Sequence, residues 1–419
     1  MATTAEVDDR TEPGEAPAEP GDGQRGPGDH DDGGARAHLG NMYRDPLPLT
    51  DGYVPEPADR ERCKSRCLRW LRTYSIRQAA KGCMIDPVAA AVKITVDAGT
   101  GRGHVSGVKR CASPWACPVC SFTIRNRRAR EITELVEKVE ARGHSVMMLT
   151  LTVPHAAREP LDALLGTLNA AQRSLWSGRS AQAFRRRWNI AGQVRAVEIT
   201  WGAKHGWNPH VHALLILERP PLDNAEWVRM WGELYFAWQT AVVAAGGRMP
   251  NAYGVNLAAI NDPRDVAAYV TDAGGWTVGA EVAQGPVKLG RSSGRWAPFA
   301  LLAAAAMWGD VDAGDLWMEY ELATAGKRAI VASRGLYDAY GVGVAGDEEA
   351  AVEDVREVLA VVEVDPMMWL CLAAVDQCRA YVGAVEQWAV AGCQGRPPDP
   401  GEWYVEQHVR HAGGTLRRQ

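Results

Sequence analysis

The stretch Gly206–Leu217, which reads GWNPHVHALLIL, decides how the centre of this chain folds. A turn, Gly-Trp-Asn-Pro, leads into two histidines and then a run of aliphatic residues. Such a run is typical of a buried strand, in which successive side chains point to opposite faces. His210 and His212 therefore share one face, with Val211 on the other. Two neighbouring imidazoles at the start of a strand can bind one metal ion.

A second predicted strand offers a third metal ligand. The segment Val194–Trp201, VRAVEITW, alternates as a half-buried strand does. If the two strands pair as a hairpin, Glu198 approaches both imidazoles. Two nitrogens and one carboxylate suit Mg²⁺ or Mn²⁺, which can polarise a phosphodiester oxygen. Without a metal, the histidines are an ordinary core or surface pair, and Glu198 is a cross-strand partner for a basic residue.

A predicted helix carries a tyrosine between two carboxylates. The segment Asn261–Gly275, NDPRDVAAYVTDAGG, begins with an Asp-Pro pair suited to a helix N-terminus and ends at two glycines. Asp265, Tyr269 and Asp272 share one helical face. A tyrosine with a lowered pKa is a nucleophile, and a carboxylate one turn away can activate water. The alternatives are a half-buried core aromatic for Tyr269 and an interaction with the helix dipole for Asp265.

Three cysteines in RCASPWACPVC indicate a zinc site. Cys117 and Cys120 form a C-x₂-C pair, and Cys111 precedes them. Cys83 is the nearest upstream residue that can complete a set of four ligands. Its competitors for that position are Cys63, Cys67 and His104. Unliganded buried thiols are the alternative to zinc.

The chain is long enough for two or three domains, with 419 residues of which 46% are hydrophobic. Residues 1–45 are rich in Gly, Pro and acids and are predicted to be a disordered tail. Residues 46–143 form a basic, cysteine-containing zinc region. Residues 144–285 hold the strands and the tyrosine helix, and residues 286–419 form a basic loop followed mostly by helix. Mixed strands and helices predict an α+β protein with an antiparallel sheet.

The net charge of −5 hides a difference along the chain. Residues 1–40 contain ten acids against three arginines, so the rest has 43 Lys and Arg against 41 acids, or +2. Local basic clusters lie at Arg60–Arg72, Arg125–Arg130 and Arg185–Arg187. Each is either a phosphate-facing patch or a solvated helix face.

Two absences in the sequence predict a cytoplasmic protein. No apolar run is long enough to cross a bilayer, and the first residues lack the pattern of a secretion signal. In that compartment, nine cysteines are expected to be thiols or metal ligands.

At these motifs the sequence resembles the rolling-circle replication initiators (Rep proteins) of small actinobacterial plasmids, members of the HUH endonuclease superfamily. LTLTVPH, GWNPHVHALL and AAYVTD occur in the order of that family. RCASPWACPVC precedes them, and WTVGAEVAQGPVKLGRSSGRWAPFALL and LWMEYELATAGKRAIVASRGL follow. The resemblance covers about two-thirds of the chain, from Arg77 to Tyr340.

The resemblance implies an HUH nicking domain at residues 144–285, with an RRM-like or ferredoxin-like sheet and the histidine pair on a central strand. It implies that His210, His212 and Glu198 bind the divalent ion. It implies that Tyr269 attacks a phosphodiester of the plasmid origin, single-stranded at the nick, leaving a 5′-phosphotyrosine link and a 3′-OH that primes synthesis. Asp265 stands where related initiators have a glutamate that activates the terminating water. Host helicase and polymerase are the implied partners, and no membrane is involved.

One position departs from the family pattern. Related proteins often have Lys three residues after the tyrosine, whereas this chain has Asp272. Either another cation, such as Lys288 or Arg291, takes its place, or this copy is impaired.

Two other functions compete with replication initiation. A relaxase or transposase of the same superfamily shares the chemistry, although relaxases usually carry a third histidine in the metal motif. A non-catalytic, zinc-containing DNA-binding regulator is the candidate from another class, and Asp272 is its best support. DNA binding without nicking would favour the regulator.

Overall fold

The computed structural model describes residues 57–220, 223–259, 295–352 and 357–406. The predicted tail at residues 1–45 lies outside these ranges. So do the predicted tyrosine helix, with Asp265, Tyr269 and Asp272, and the two cations proposed to replace the family lysine, Lys288 and Arg291.

The described residues form helices and two antiparallel sheets, which confirms the predicted α+β class. The helices are α1 (Pro57–Tyr74), α2 (Gln78–Lys81), α3 (Pro118–Ala141), α4 (Leu161–Leu175), α5 (Gly178–Arg187), α6 (Asn224–Ala244), α7 (Pro298–Trp308), α8 (Val311–Ala323), α9 (Leu336–Tyr340), α10 (Asp347–Ala350), α11 (Pro366–Ala374) and α12 (Cys378–Val390). The strands are β1 (Val92–Asp97), β2 (Gly103–Ser106), β3 (Ser145–Thr152), β4 (Ile190–Gly202), β5 (Gly206–Leu217), β6 (Val255–Ala259), β7 (Arg295–Trp296), β8 (Ile330–Ala332) and β9 (Val358–Val364).

The larger sheet has the strand order β6-β3-β5-β4-β7, and β8 also pairs with β4. All of its pairings are antiparallel. Strand β5, which carries the two histidines, lies in the middle between β3 and β4. Its residues from Val211 to Leu217 are all buried, because helices cover both faces of the sheet at this end.

The β4–β5 hairpin begins with the pair Gly202 and Gly206. Gly206 has φ +69°, a left-handed conformation that favours glycine. A Cβ atom there would lie 2.6 Å from the carbonyl oxygen of Ala157, so the loop after β3 packs directly on the turn. This turn sets the register of the hairpin and thereby brings Glu198 opposite His210.

Two apolar clusters hold the larger sheet. On one face Val211, Leu215 and their strand neighbours pack against α4, α6, α7 and α8. On the other, Leu214 and Ile216 pack with α3 and α9. His210 and His212 lie on this second face, since they alternate in step with Leu214.

The smaller sheet has the order β2-β1-β9 and packs on α11 and α12. The segment beyond the basic loop was expected to be mostly helical, and the helices α7 to α12 make up most of its described secondary structure, but β8 and β9 also lie in it. Strand β9, VLAVVEV, is rich in β-branched valine, which favours a strand. Its partner β1 lies far upstream in the sequence, so the pairing is invisible to local patterns.

Within the described ranges, no helix has the length and apolar character that crossing a membrane requires.

Candidate functional site

Three side chains predicted as metal ligands meet on the central strands. The Oε2 atom of Glu198 lies 2.6 Å from Nε2 of His210 and 2.8 Å from Nε2 of His212. The strand register explains this, because Glu198 is paired with His210, and His212 is the next residue on the same face. The hairpin inferred from the sequence is therefore present, and it brings the three predicted ligands together.

The other nitrogen of each imidazole is held by a neighbour. Nδ1 of His212 lies 3.1 Å from Oγ1 of Thr150, and Nδ1 of His210 lies 3.4 Å from the carbonyl oxygen of Asn208. A carbonyl accepts only, so Nδ1 of His210 carries the proton. Nε2 then either carries a second proton, which it donates to the carboxylate, or turns a lone pair towards it. Lone pairs that converge in this way need a cation between them, either a proton or a metal ion.

The charge of Glu198 also suits a cation site. Burial of its carboxyl acts to raise the pKa, but hydrogen bonds and charge interactions with His210 and His212 outweigh burial and hold the pKa below its ordinary value. Glu198 is thus a carboxylate at neutral pH. The three side chains remain 8–17% exposed, so the cluster is largely buried but still reaches solvent.

Further polar groups lie on the same face of the sheet. Thr150 is in register with His212, and Asn208 is in register with Thr200. Within the described residues, Oδ1 of Asn208 and Oγ1 of Thr200 are buried and have no hydrogen-bond partner. The sequence prediction missed all three residues. Asn208 could have been predicted, because it lies two positions before His210 and so shares its face of the strand. Thr150 could not, because it becomes a neighbour of His212 only through the pairing of β3 with β5.

The predicted nucleophile Tyr269 and its neighbour Asp265 lie outside the described residues. The described chain stops at Ala259, which pairs with Met147 at one end of β3. It resumes at Arg295, which pairs with Gly202 at the hairpin end of the sheet. Ala259 and Arg295 therefore lie at opposite ends of the sheet, and the histidine pair lies between those ends.

The four cysteines predicted as zinc ligands form a second cluster, of Cys83, Cys111, Cys117 and Cys120, in which all Sγ atoms lie within 4.8 Å of one another. Cys83 is 3.5 Å from both Cys117 and Cys120. Zinc–sulfur bonds of about 2.3 Å in a tetrahedron place sulfurs about 3.8 Å apart, so this set fits the ion. The three competitors for the fourth position, Cys63, Cys67 and His104, are not part of the cluster.

Backbone and helix geometry favour thiolates at this cluster. The amide of Cys120 donates to Sγ of Cys117, and the amide of Cys111 donates to Sγ of Cys83. Hydrogen bonds among the four thiols lower the pKa of Cys120, whereas the pKa values of Cys111 and Cys117 are raised, so without a metal ion the cluster holds its negative charge on Cys120. Cys117 is the N-cap of α3, where the helix dipole stabilises negative charge.

The basic clusters of the sequence have different environments. Arg125 is buried with its guanidinium 5.9 Å from the Trp115 ring, and Arg128 pairs with Glu131 and Asp347. Arg125–Arg130 is therefore in large part structural. In Arg185–Arg187, Arg187 pairs with Glu233.

Comparisons with known proteins identify the family to which this chain is related. The family model described as "Replication protein" matches residues 102–253, a range that includes Cys111, Cys117, Cys120, Glu198 and both histidines. The chain is 31% identical over 325 residues to "Protein rep" of Streptomyces lividans, which covers 64% of this chain and 70% of that protein. The chain therefore belongs to the Rep family of replication proteins.

A second relative is matched over a shorter range. The chain is 31% identical over 157 residues to a protein of Streptomyces cyanogenus named "Neomycin resistance protein", covering 32% of this chain and 36% of that protein. It thus spans only about a third of the length of that relative. No solved structure matches the chain.

Proposed function

We propose that the chain is a plasmid rolling-circle replication initiator that nicks origin DNA and rejoins it through a phosphotyrosine intermediate. The observation that carries the proposal is the convergence of Glu198, His210 and His212 in a member of a replication-protein family. A replication protein that only binds DNA has no need for such a set of metal donors on its central strand.

The larger sheet is proposed to be of the RRM-like or ferredoxin-like type found in HUH endonucleases. The support is its antiparallel order, with the histidine strand β5 between β3 and β4, and the helices packed on both faces. In this arrangement the metal donors are fixed by strand register, so they need little reorganisation to bind an ion.

Glu198, His210 and His212 would hold Mg²⁺ or Mn²⁺. The bound ion would polarise the phosphodiester and stabilise the charge that develops on it. The chain contributes the orientation of the donors: Thr150 and the carbonyl of Asn208 engage Nδ1 of the two rings, which keeps each Nε2 directed at Glu198.

Tyr269 is proposed as the nucleophile. Its phenol oxygen loses a proton and bonds to the phosphorus, the bond from phosphorus to the 3′ oxygen breaks, and the 3′ oxygen takes up a proton. The products are a 5′-phosphotyrosine and a 3′-OH that primes synthesis. Asp265 would activate the water that ends the round. Support comes from the sheet, where Ala259 and Arg295 lie at opposite ends with the histidine pair between them.

The four cysteines would hold a structural zinc ion, for which their sulfur spacing is suited. Origin DNA, single-stranded at the nick, is the substrate. The host helicase and polymerase are the expected partners, and the cytoplasm is the compartment where they act.

The proposal is tested by incubating the protein with supercoiled origin plasmid and Mn²⁺ or Mg²⁺ and detecting covalent 5′ adducts. Wild type should form the adduct, and Tyr269→Phe should abolish it. Tyr253→Phe is the matched control, because Tyr253 is 91% exposed just before β6 and has no proposed role. An adduct that persists in Tyr269→Phe would refute the assignment of Tyr269 as the nucleophile. Origin binding by wild type without any adduct would favour the DNA-binding regulator.

A further inference from the structure

A groove with a volume of about 550 Å³ lies between α1, the start of α3, β2 and the helices α11 and α12. This volume is within the range of ligand sites. None of the residues that line it belongs to the cluster of Glu198, His210 and His212, so it is separate from the proposed nicking site.

The lining of the groove is strongly basic. Its lysine and arginine residues are Lys64, Arg69, Arg72, Arg102, Arg110 and Arg379, and Asp376 is the single acid among the described residues that line it. Three of these cations are paired with carboxylates: Arg69 with Asp376, Arg72 with Asp86, and Arg379 with Glu386. Neither Arg102 nor Arg110 has a carboxylate partner among the described residues. The groove therefore keeps an excess of positive charge.

Arg110 has one hydrogen-bond donor that remains available for an anionic ligand. One terminal nitrogen of its guanidinium donates to the carbonyl oxygen of Val105 at 2.7 Å. The other terminal nitrogen, Nη1, is buried and has no acceptor within the described residues. A buried donor of this kind is costly unless something accepts from it, and a phosphate oxygen is a strong acceptor.

The remainder of the lining is apolar and aromatic. Phe122 contributes a half-buried ring and Met84 and Ile85 contribute apolar surface, whereas the Trp369 side chain is buried in the core behind the groove. The Nζ atom of Lys64 lies 5.8 Å from the centre of the Phe122 ring. Cations for phosphates beside apolar and aromatic surface for bases are the features of sites for unpaired nucleic acid. A duplex does not suit the groove, because its bases are stacked inside it.

We infer that this groove binds a short stretch of single-stranded DNA, with phosphates on the arginines and bases against Phe122 and the aliphatic side chains. That the nucleic acid is DNA rests on the proposed function. The cysteine cluster lies next to the groove wall, since the lining residues Met84 and Arg110 are the sequence neighbours of Cys83 and Cys111. The predicted zinc site therefore positions the groove.

The test is fluorescence anisotropy of a labelled twelve-residue oligothymidine with the full-length protein and no added divalent ion. Arg102→Glu should weaken binding at least about tenfold, because it replaces a phosphate contact by a repulsive charge. Arg334→Glu is the matched control, an exposed arginine outside the groove that should leave affinity unchanged. Arg102→Ala should reduce the slope of log affinity against log salt by about 0.7, as expected for one lost phosphate contact.

Two competitors test the role of the bases. An abasic strand with the same phosphates should compete several-fold less well than oligothymidine, and a duplex of equal length should compete less well still. Equal competition by all three, or equal effects of Arg102→Glu and Arg334→Glu, would overturn the groove assignment.

His212→Ala separates this inference from the proposed nicking activity. This variant should lose nicking and keep wild-type affinity for oligothymidine. If Arg102→Glu weakens binding of the strand but wild type forms no covalent adduct, the proposed nicking function is refuted and the assignment of the groove as a DNA site is kept. If wild type forms adducts and Arg102→Glu binds the strand with wild-type affinity, only the assignment of the groove as a DNA site is refuted.

Discussion

Thr150 illustrates what a single residue does for the metal donors. Its hydroxyl oxygen lies 3.1 Å from Nδ1 of His212, and β3 places it directly opposite that histidine. A partner on the far nitrogen fixes both the ring orientation and the nitrogen that carries the proton. The sequence revealed the histidines through their spacing, but it did not reveal Thr150, because that contact requires knowing which strand lies beside β5.

Thr150→Val is expected to weaken Mn²⁺ binding by about 10- to 100-fold, because His212 loses the partner that orients it. Isothermal titration with Mn²⁺ measures the effect. Thr150→Ser, which keeps the hydroxyl, should restore most of the affinity. Equal affinities for the valine and serine variants would exclude an orienting role for the hydroxyl group.

At the scale of elements, local patterns predicted the parts of the larger sheet well. The predicted strand Val194–Trp201 lies within β4, and the run after His210 is the second half of β5. Each of these has its own periodicity and its own turn residues. Strand β9 was missed, since its stabilising contacts come from β1 and α12 and leave only a weak local signal.

The β4–β5 turn provides a prediction at this scale. Gly206→Ala should destabilise the protein by about 2–4 kcal/mol, since it combines a left-handed backbone with a Cβ that meets the carbonyl of Ala157. Gly143→Ala has a similar φ, +73°, but open space around the Cβ, so it should cost only about 1–2 kcal/mol. Urea unfolding of both variants measures the difference. Equal costs would show that the contact with Ala157 adds nothing.

At the scale of the whole molecule, the cysteine cluster joins segments that are distant in the sequence. Cys83 follows α2, Cys111 follows β2, and the other two cysteines begin α3, whose later residues pack on the larger sheet. The sequence predicted the cysteines from their spacing. It gave no indication of the basic groove beside them, because the lining residues come from five separate elements.

Cys83→Ser is expected to lower the zinc content of the purified protein from about one ion per chain towards zero and to reduce its thermal stability. Cys67→Ser should keep the zinc, because Cys67 lies in α1 near Cys63 and outside the cluster. Atomic absorption and thermal unfolding measure the two properties. Zinc retained in Cys83→Ser and lost in Cys67→Ser would mean that the ligand set is wrong.

The pairing of β1 with β9 has a consequence for how the protein is made. About 260 residues separate Asp97 from Val358, which are paired in the smaller sheet. At about 5–20 residues per second, the ribosome needs roughly 13–50 s to deliver the second strand after the first has emerged. During that interval the apolar face of β1 is not yet packed against α11 and α12, because the strands of the larger sheet lie between β1 and these elements in the sequence and are synthesised first. The smaller sheet is therefore completed late, and no contiguous piece of the chain contains all of it without also containing the larger sheet.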